Sequence, residues 1–124
     1  MAAGTYNFTI EQGATFRRTF KYKNAEGTPI NLSSHAVRMQ LRESIDSNST
    51  IIDLSETENA TNGSKITVTG GSSNEIIVLI TASATSAMNF NQAVYDLEIE
   101  ENDTGTVTRL LQGKVKLSKE VTRD

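Results

Sequence analysis

From Phe8 to Leu117 the chain repeats one signal: apolar residues at every second position, in short runs broken by turn residues. A period of two puts successive side chains on opposite faces of an extended strand, and no helix presents such a stripe. Phe8 and Ile10 alternate with Thr9. After Gly13 a second run begins, with Phe16, Phe20 and Tyr22 on one face and Arg17, Thr19, Lys21 and Lys23 on the other. Arg18 falls on the apolar side, where a position near an edge lets its head reach water. Val37, Met39 and Leu41 define a third strand, with Arg38, Gln40 and Arg42 outward. Ile52 and Leu54 mark a fourth, Ile66 and Val68 a fifth. Glu75 to Thr81, EIIVLIT, is the most apolar run and reads as a strand buried on both faces. A further strand opens at Ala93, with Tyr95, Leu97 and Ile99 inward and Asp96, Glu98 and Glu100 outward. Val107, Leu111, Val115 and Leu117 continue the inner face of the last strand, where Gly113 predicts a bulge or a close backbone approach.

The punctuation agrees with this reading. Asn24 to Pro29, NAEGTP, is a turn, because Asn and Gly tolerate left-handed backbone and Pro fixes its own φ. Ser55 to Ser64 lacks any large apolar residue and reads as an exposed, mobile loop. Gly70 to Asn74 and Glu101 to Gly105 supply further turns. Helical character is confined to Thr81 to Asn89, where Ser83 is the candidate cap. Many short strands with frequent turn signals describe a sandwich or a small barrel. Tyr95, at the start of the penultimate strand after a helical turn, resembles a tyrosine corner, whose hydroxyl bonds back to upstream backbone, and this favours the sandwich. The expected fold is therefore all-β: an immunoglobulin-like antiparallel β-sandwich of seven to eight strands, with one short helical turn near 82–89, forming a single domain over residues 1–124.

A chain of 124 residues buries enough surface for a core without staples, roughly two-thirds of what its unfolded form exposes. It has no cysteine, so neither disulfides nor thiolate metal sites contribute. The opening MAAGTYNFTI has no basic segment followed by an apolar run, so no signal peptide is expected. No window approaches the roughly 18 apolar residues of a membrane span. Net charge is −3, with both signs mixed along the chain, unlike the concentrated basic face that binds nucleic acid.

Catalytic chemistry finds little foothold. His35, the one histidine, follows Ser33 and Ser34, but no sharp strand-to-helix turn presents either serine as a nucleophile. One His without Cys makes a poor zinc site. Glu98, Glu100, Glu101 and Asp103, with Asn102, offer oxygens to a hard cation, yet lack the ligand spacing of a calcium loop. Paired carboxylates for glycoside hydrolysis would need a deep sugar cleft. Charge at a solvated strand edge is the simpler role. The Asn-x-Ser/Thr triplets at Asn7, Asn31, Asn48, Asn59, Asn62 and Asn102 reflect polar turns. Gly70-Gly71 lies between strands and opens no helix, so it cradles no phosphate. No cofactor, metal or catalytic residue is expected, and the protein reads as a non-enzyme.

Two segments carry a resemblance. Tyr6 to Arg42 contains "EQG", an aromatic strand, "GTPINL" and "VRMQLR"; Ala93 to Val115 contains "VYDLEI", a hairpin and "RLLQGKV". Together they resemble the small immunoglobulin-like proteins of tailed bacteriophages and the N-terminal modules of baseplate and fibre proteins. The resemblance implies a virion component of the tail, baseplate or fibre-attachment region, made in the host cytoplasm. Its partners would be other virion proteins, met in multiple copies of a symmetric assembly, with no nucleic acid and no membrane. The candidate contact residues are Arg17, Lys21 and Lys23 on the outer face of the second strand, and the segment Ala2 to Tyr6. Two alternatives stand beside this reading: an adaptor or decoration protein on the capsid exterior, and a carbohydrate- or receptor-binding module. Sugar sites favour exposed aromatic platforms, and the chain has few aromatics to spare from its core.

Overall fold

A computed structural model describes residues 4–69 and 74–122. Along them run β1 (Gly4–Thr5), β2 (Phe8–Glu11), β3 (Phe16–Lys21), β4 (His35–Arg42), β5 (Ile52–Ser55), β6 (Lys65–Thr69), β7 (Glu75–Ile80), the short helix α1 (Ala82–Ser86), β8 (Gln92–Glu101) and β9 (Val107–Ser118). One sheet has the order β1-β9-β8-β4-β5, with β2 also paired to β9; the other has the order β3-β7-β6. Two layers with this strand order form the immunoglobulin-like sandwich, as the alternation implies. The strand count exceeds the expected seven to eight because the opening strand is broken at Tyr6 and Asn7 into β1 and β2. Antiparallel pairing holds throughout except there: β1 and β2 both run parallel to β9.

The core lies between the layers. Val37, Met39, Leu41, Leu54, Leu97 and Val115 from the large sheet are fully enclosed and face Ile66, Ile76, Val78 and Ile80 from the small one. Each such side chain contributes about 1.5–3 kcal/mol on leaving water. The run Glu75 to Thr81 departs from expectation. Ile76, Val78 and Ile80 are buried, but Ile77 and Leu79 are only half-buried. A sandwich has two layers, so the outward face of β7 has nothing above it.

The last strand departs as well. Between β8 and β9 the register shifts after Leu97, so that Leu97 faces Leu111 while Glu98 faces Arg109. Leu110 is the extra residue of a β-bulge, which changes which side the following positions occupy. Val107, expected inside, is therefore turned out and is 53% exposed. Gly113 is not the bulge. It is the close approach: a Cβ there would meet the backbone carbonyl of Tyr6.

One end of the sandwich is wired by polar side chains. Thr81 caps α1, its hydroxyl accepting from Ala84 N at 3.3 Å; the expected cap, Ser83, already lies inside the helix. The helix must start as soon as β7 ends at Ile80, which leaves the cap to Thr81. Buried Thr85 then ties α1 to the β2–β3 turn, donating to Ala14 O at 2.9 Å and accepting from Gly13 N at 3.0 Å. The loop 55–64 is likewise better anchored than its composition suggests. Asn59 Oδ1 accepts from Thr61 N and Asn62 N, and buried Ser64 accepts from Thr81 N at 3.0 Å. Glu56 Oε2 accepts from Val37 N at 3.1 Å and Thr57 bonds to Ser55 Oγ, so the free loop expected here is tied at both ends. The turn expected at Gly70 to Asn74 lies mostly outside the described residues, as do Ala2 and Ala3.

Candidate functional site

The candidate contact residues of β3 lie on the outward face of the small sheet. Register places Arg17 beside Leu79, Thr19 beside Ile77 and Lys21 beside Glu75. On the far side of β7, Lys65 stands beside Leu79 and Thr67 beside Ile77. Lys23, just past β3, is exposed and bridged to Pro29. The result is a low apolar ridge, Ile77 and Leu79, framed by Arg17, Lys21 and Lys65 and countered by Glu75. Apolar side chains flanked by long aliphatic stems with charged heads make a surface that is wet when free and can be covered by a partner.

Tyr6 is not part of that face. Its ring packs edge-on against Phe20 at 5.4 Å and near Phe8 at 6.1 Å between centroids. Phe20 points to the core side of β3, the opposite side from Arg17 and Lys21. The Arg18 guanidinium lies 6.0 Å from the centre of the Tyr6 ring and 5.4 Å from that of Phe16, a placement in which a cation is held by ring faces while its head stays in water. Tyr6 thus belongs to the seam where the N-terminal strand closes the sandwich.

Tyr95 locks the same seam. It is buried, and its hydroxyl donates to the backbone carbonyl of Tyr6 at 2.6 Å. The expected corner is therefore half right: the hydroxyl does meet backbone, but 89 positions away in the N-terminal strand and not at the helical turn beside it. Burial, with the neighbouring Tyr6 phenol adding to it, pushes the Tyr95 hydroxyl up to about 12. Asn7 completes the closure. Its Oδ1 accepts from Lys114 N at 2.8 Å, supplying the acceptor that the ladder lacks where β1 gives way to β2.

His35 and the acidic residues do not converge. His35 starts β4 half-buried, with Nδ1 enclosed and without a hydrogen-bond partner among the described residues, so no carboxylate orients the ring as a catalytic base. Ser33 and Ser34 are exposed beside it. Glu98 faces Arg38 and Arg109 across its two neighbouring strands. Among the described residues no three His, Asp or Glu side chains gather as a metal site would require. None of the aromatics at positions 6, 8, 16, 20, 22, 90 and 95 is exposed, which leaves no stacking platform for a sugar or a base.

The outward face of the large sheet holds the residues that sequence reasoning left unconnected. Gln40 and Arg42 from β4, Val94 and Asp96 from β8, and Gln112 and Lys114 from β9 line a concavity of about 530 Å³. Alternation already marked Gln40, Arg42 and Asp96 as outward, but the pairing of β4, β8 and β9 is needed to gather them. Arg109 joins only because of the Leu110 bulge. Compared with protein-family models and with curated proteins, the chain matches none.

Proposed function

We infer that the protein is a non-enzymatic structural component of a bacteriophage particle, an adaptor in the tail, baseplate or fibre-attachment region that works through protein–protein assembly. The observation that carries this reading is the small sheet's outward face. Ile77 and Leu79 lie there uncovered by any second layer, within a frame of Arg17, Lys21 and Lys65. Such a face suits an apolar contact with an acidic rim on the partner, where charge sets the register and apolar burial supplies the energy. The sequence resemblance to phage immunoglobulin-like proteins supports a partner among virion proteins. One small face binds weakly by itself, so firm attachment relies on several copies engaged at once on a symmetric platform.

Mass spectrometry of purified particles tests the reading. The protein is expected in the particle in multiple copies, with Leu79→Asp cutting its incorporation while the variant stays folded. Absence from the particle overturns the assignment. So does a hydrolase activity that disappears on changing His35 or Glu98.

A further inference from the structure

Two cross-strand rows floor the groove on the large sheet. In one, Arg42 stands opposite Val94 and Val94 opposite Lys114; in the next, Gln40 stands opposite Asp96 and Asp96 opposite Gln112. Neighbouring strands are about 4.8 Å apart, which sets the Arg42 and Lys114 backbones roughly 10 Å apart across the apolar Val94. Asp96 is answered by Arg109 at 3.4 Å. Arg42 has no such answer: its guanidinium donates to Ser47 O at 2.7 Å and to Gln40 Oε1 at 3.0 Å, both uncharged. Lys114 forms no ion pair among the described residues. Two cations thus flank an apolar floor with no carboxylate of their own.

The groove is open at both ends. It shares Gln40 and Asp96 with a hollow of about 150 Å³ that reaches Arg38 and Glu98. On the other side it shares Asn7 and Lys114 with a hollow of about 530 Å³ that reaches Gln92 and Lys116. A path of this kind fits a chain that passes through, not a compact molecule or a chain end. Along it Arg38, Arg42, Arg109, Lys114 and Lys116 outnumber Asp96 and Glu98, in a protein whose net charge is −3. The two acids interrupt the path, which disfavours a continuous polyanion such as nucleic acid and favours carboxylates spaced along a peptide.

We propose that this groove binds an extended acidic peptide segment of a neighbouring protein, with one Glu or Asp side chain seated over Val94 between Arg42 and Lys114. Hydrogen bonds from Arg and Lys to a carboxylate are among the stronger ones available at a surface. Gln40 and Gln112 accept from Arg42 and Arg109 through Oε1, which leaves their amide N–H groups to donate to the peptide carbonyls beside that carboxylate. Ile45, 84% exposed on the rim, offers apolar contact to an alternate side chain of the segment. The proposal is independent of the virion assignment: particle composition tests that assignment, and peptide binding tests this groove.

The experiment titrates isotope-labelled full-length protein with an acetylated, amidated hexapeptide of alternating Glu and Val, followed by NMR. Amide shifts are expected at Arg42, Val94, Gln112 and Lys114. Lys114→Glu is expected to weaken binding about tenfold or more, a loss of about 1.4 kcal/mol, while Lys119→Glu, exposed past the end of β9 and outside these hollows, leaves it unchanged. Replacing every Glu of the peptide by Gln is expected to abolish the shifts. Equal binding of the Gln peptide, shifts confined to β3, β6 and β7, or no shifts at millimolar peptide would overturn the proposal. Equal binding of a free-acid peptide without Glu would also overturn it, by showing capture of a chain end.

Discussion

The two sheets turn different outward faces to solvent, and the difference lies in how each was built. The large sheet joins two consecutive pairs, β4–β5 and β8–β9, to the N-terminal strands, and its outward face is polar, concave and stitched by side-chain hydrogen bonds such as Arg42 to Gln40 and Arg109 to Gln112. The small sheet has only three strands, and its central strand is apolar on both sides. One side of β7 is sealed in the core; the other is left for solvent or a partner. A continuous apolar strand therefore need not be covered on both sides by its own chain.

The largest expected effect tests that contrast on adjacent residues. Ile76→Ala, on the sealed side, should cost about 3 kcal/mol, the range for a large-to-small change in a packed core. Ile77→Ala, one position away, should cost under about 1 kcal/mol. Urea unfolding of the two variants gives the comparison directly, and equal losses would mean that Ile77 is covered after all.

Next in size is the seam that only the large sheet has. Gly113→Ala would drive a Cβ into the carbonyl of Tyr6, and overpacking of this kind costs about 1–3 kcal/mol. Amide exchange should speed up through Phe8 to Glu11, where β2 depends on β9, and stay unchanged in β3, β6 and β7. Gly27→Ala is the useful contrast, since its site is open space and only its φ of +84° opposes a side chain.

Tyr95→Phe removes one buried hydrogen bond and should cost about 1 kcal/mol. It also carries a pH signature. Because burial pushes the folded hydroxyl up to about 12 from the ordinary tyrosine value of 10.0, the unfolded chain loses this proton first as pH rises. The stabilisation is fully present below pH 10, declines above it, and is gone once pH passes the folded value. Unfolding curves for wild type and Tyr95→Phe should therefore close their gap of about 1 kcal/mol between pH 9 and pH 11.5. Parallel curves would show that the Tyr95 hydroxyl is not held by Tyr6.

The smallest effect belongs to the surface ion pair. Asp96→Asn should change stability by less than about 0.5 kcal/mol, because the exposed Arg109 and the half-exposed Asp96 both meet solvent, and salt screens them. A larger loss that persists in high salt would make the outward face of the large sheet a structural element and not an open groove.

How much of this was legible in the chain depends on the range of the interaction. Arg17, Lys21 and Lys23 were readable as one exposed row because a single strand's alternation decides it. The Asn24 to Pro29 turn was readable because its bonds are local: Asn24 Oδ1 accepts from Glu26 N and Thr28 N, and Gly27 takes the left-handed backbone. The groove was not readable, since Arg42 meets Val94 and Lys114 only when the distant β4 pairs with the β8–β9 hairpin. Nor was the partner of Tyr95, which arrives from the far end of the chain.

By itself the sequence determined the strands, their inward and outward residues, most turns and the two-layer class, because backbone sterics and side-chain alternation act over a few residues. Tertiary structure alone decided three things. It split the opening strand and laid it parallel to β9, it inserted Leu110 as a bulge that turned Val107 and Arg109 outward, and it left one side of β7 uncovered. The physical reason is the same each time: a local pattern states which faces are apolar, but what lies against each face depends on register between distant strands and on the number of layers that the chain can build.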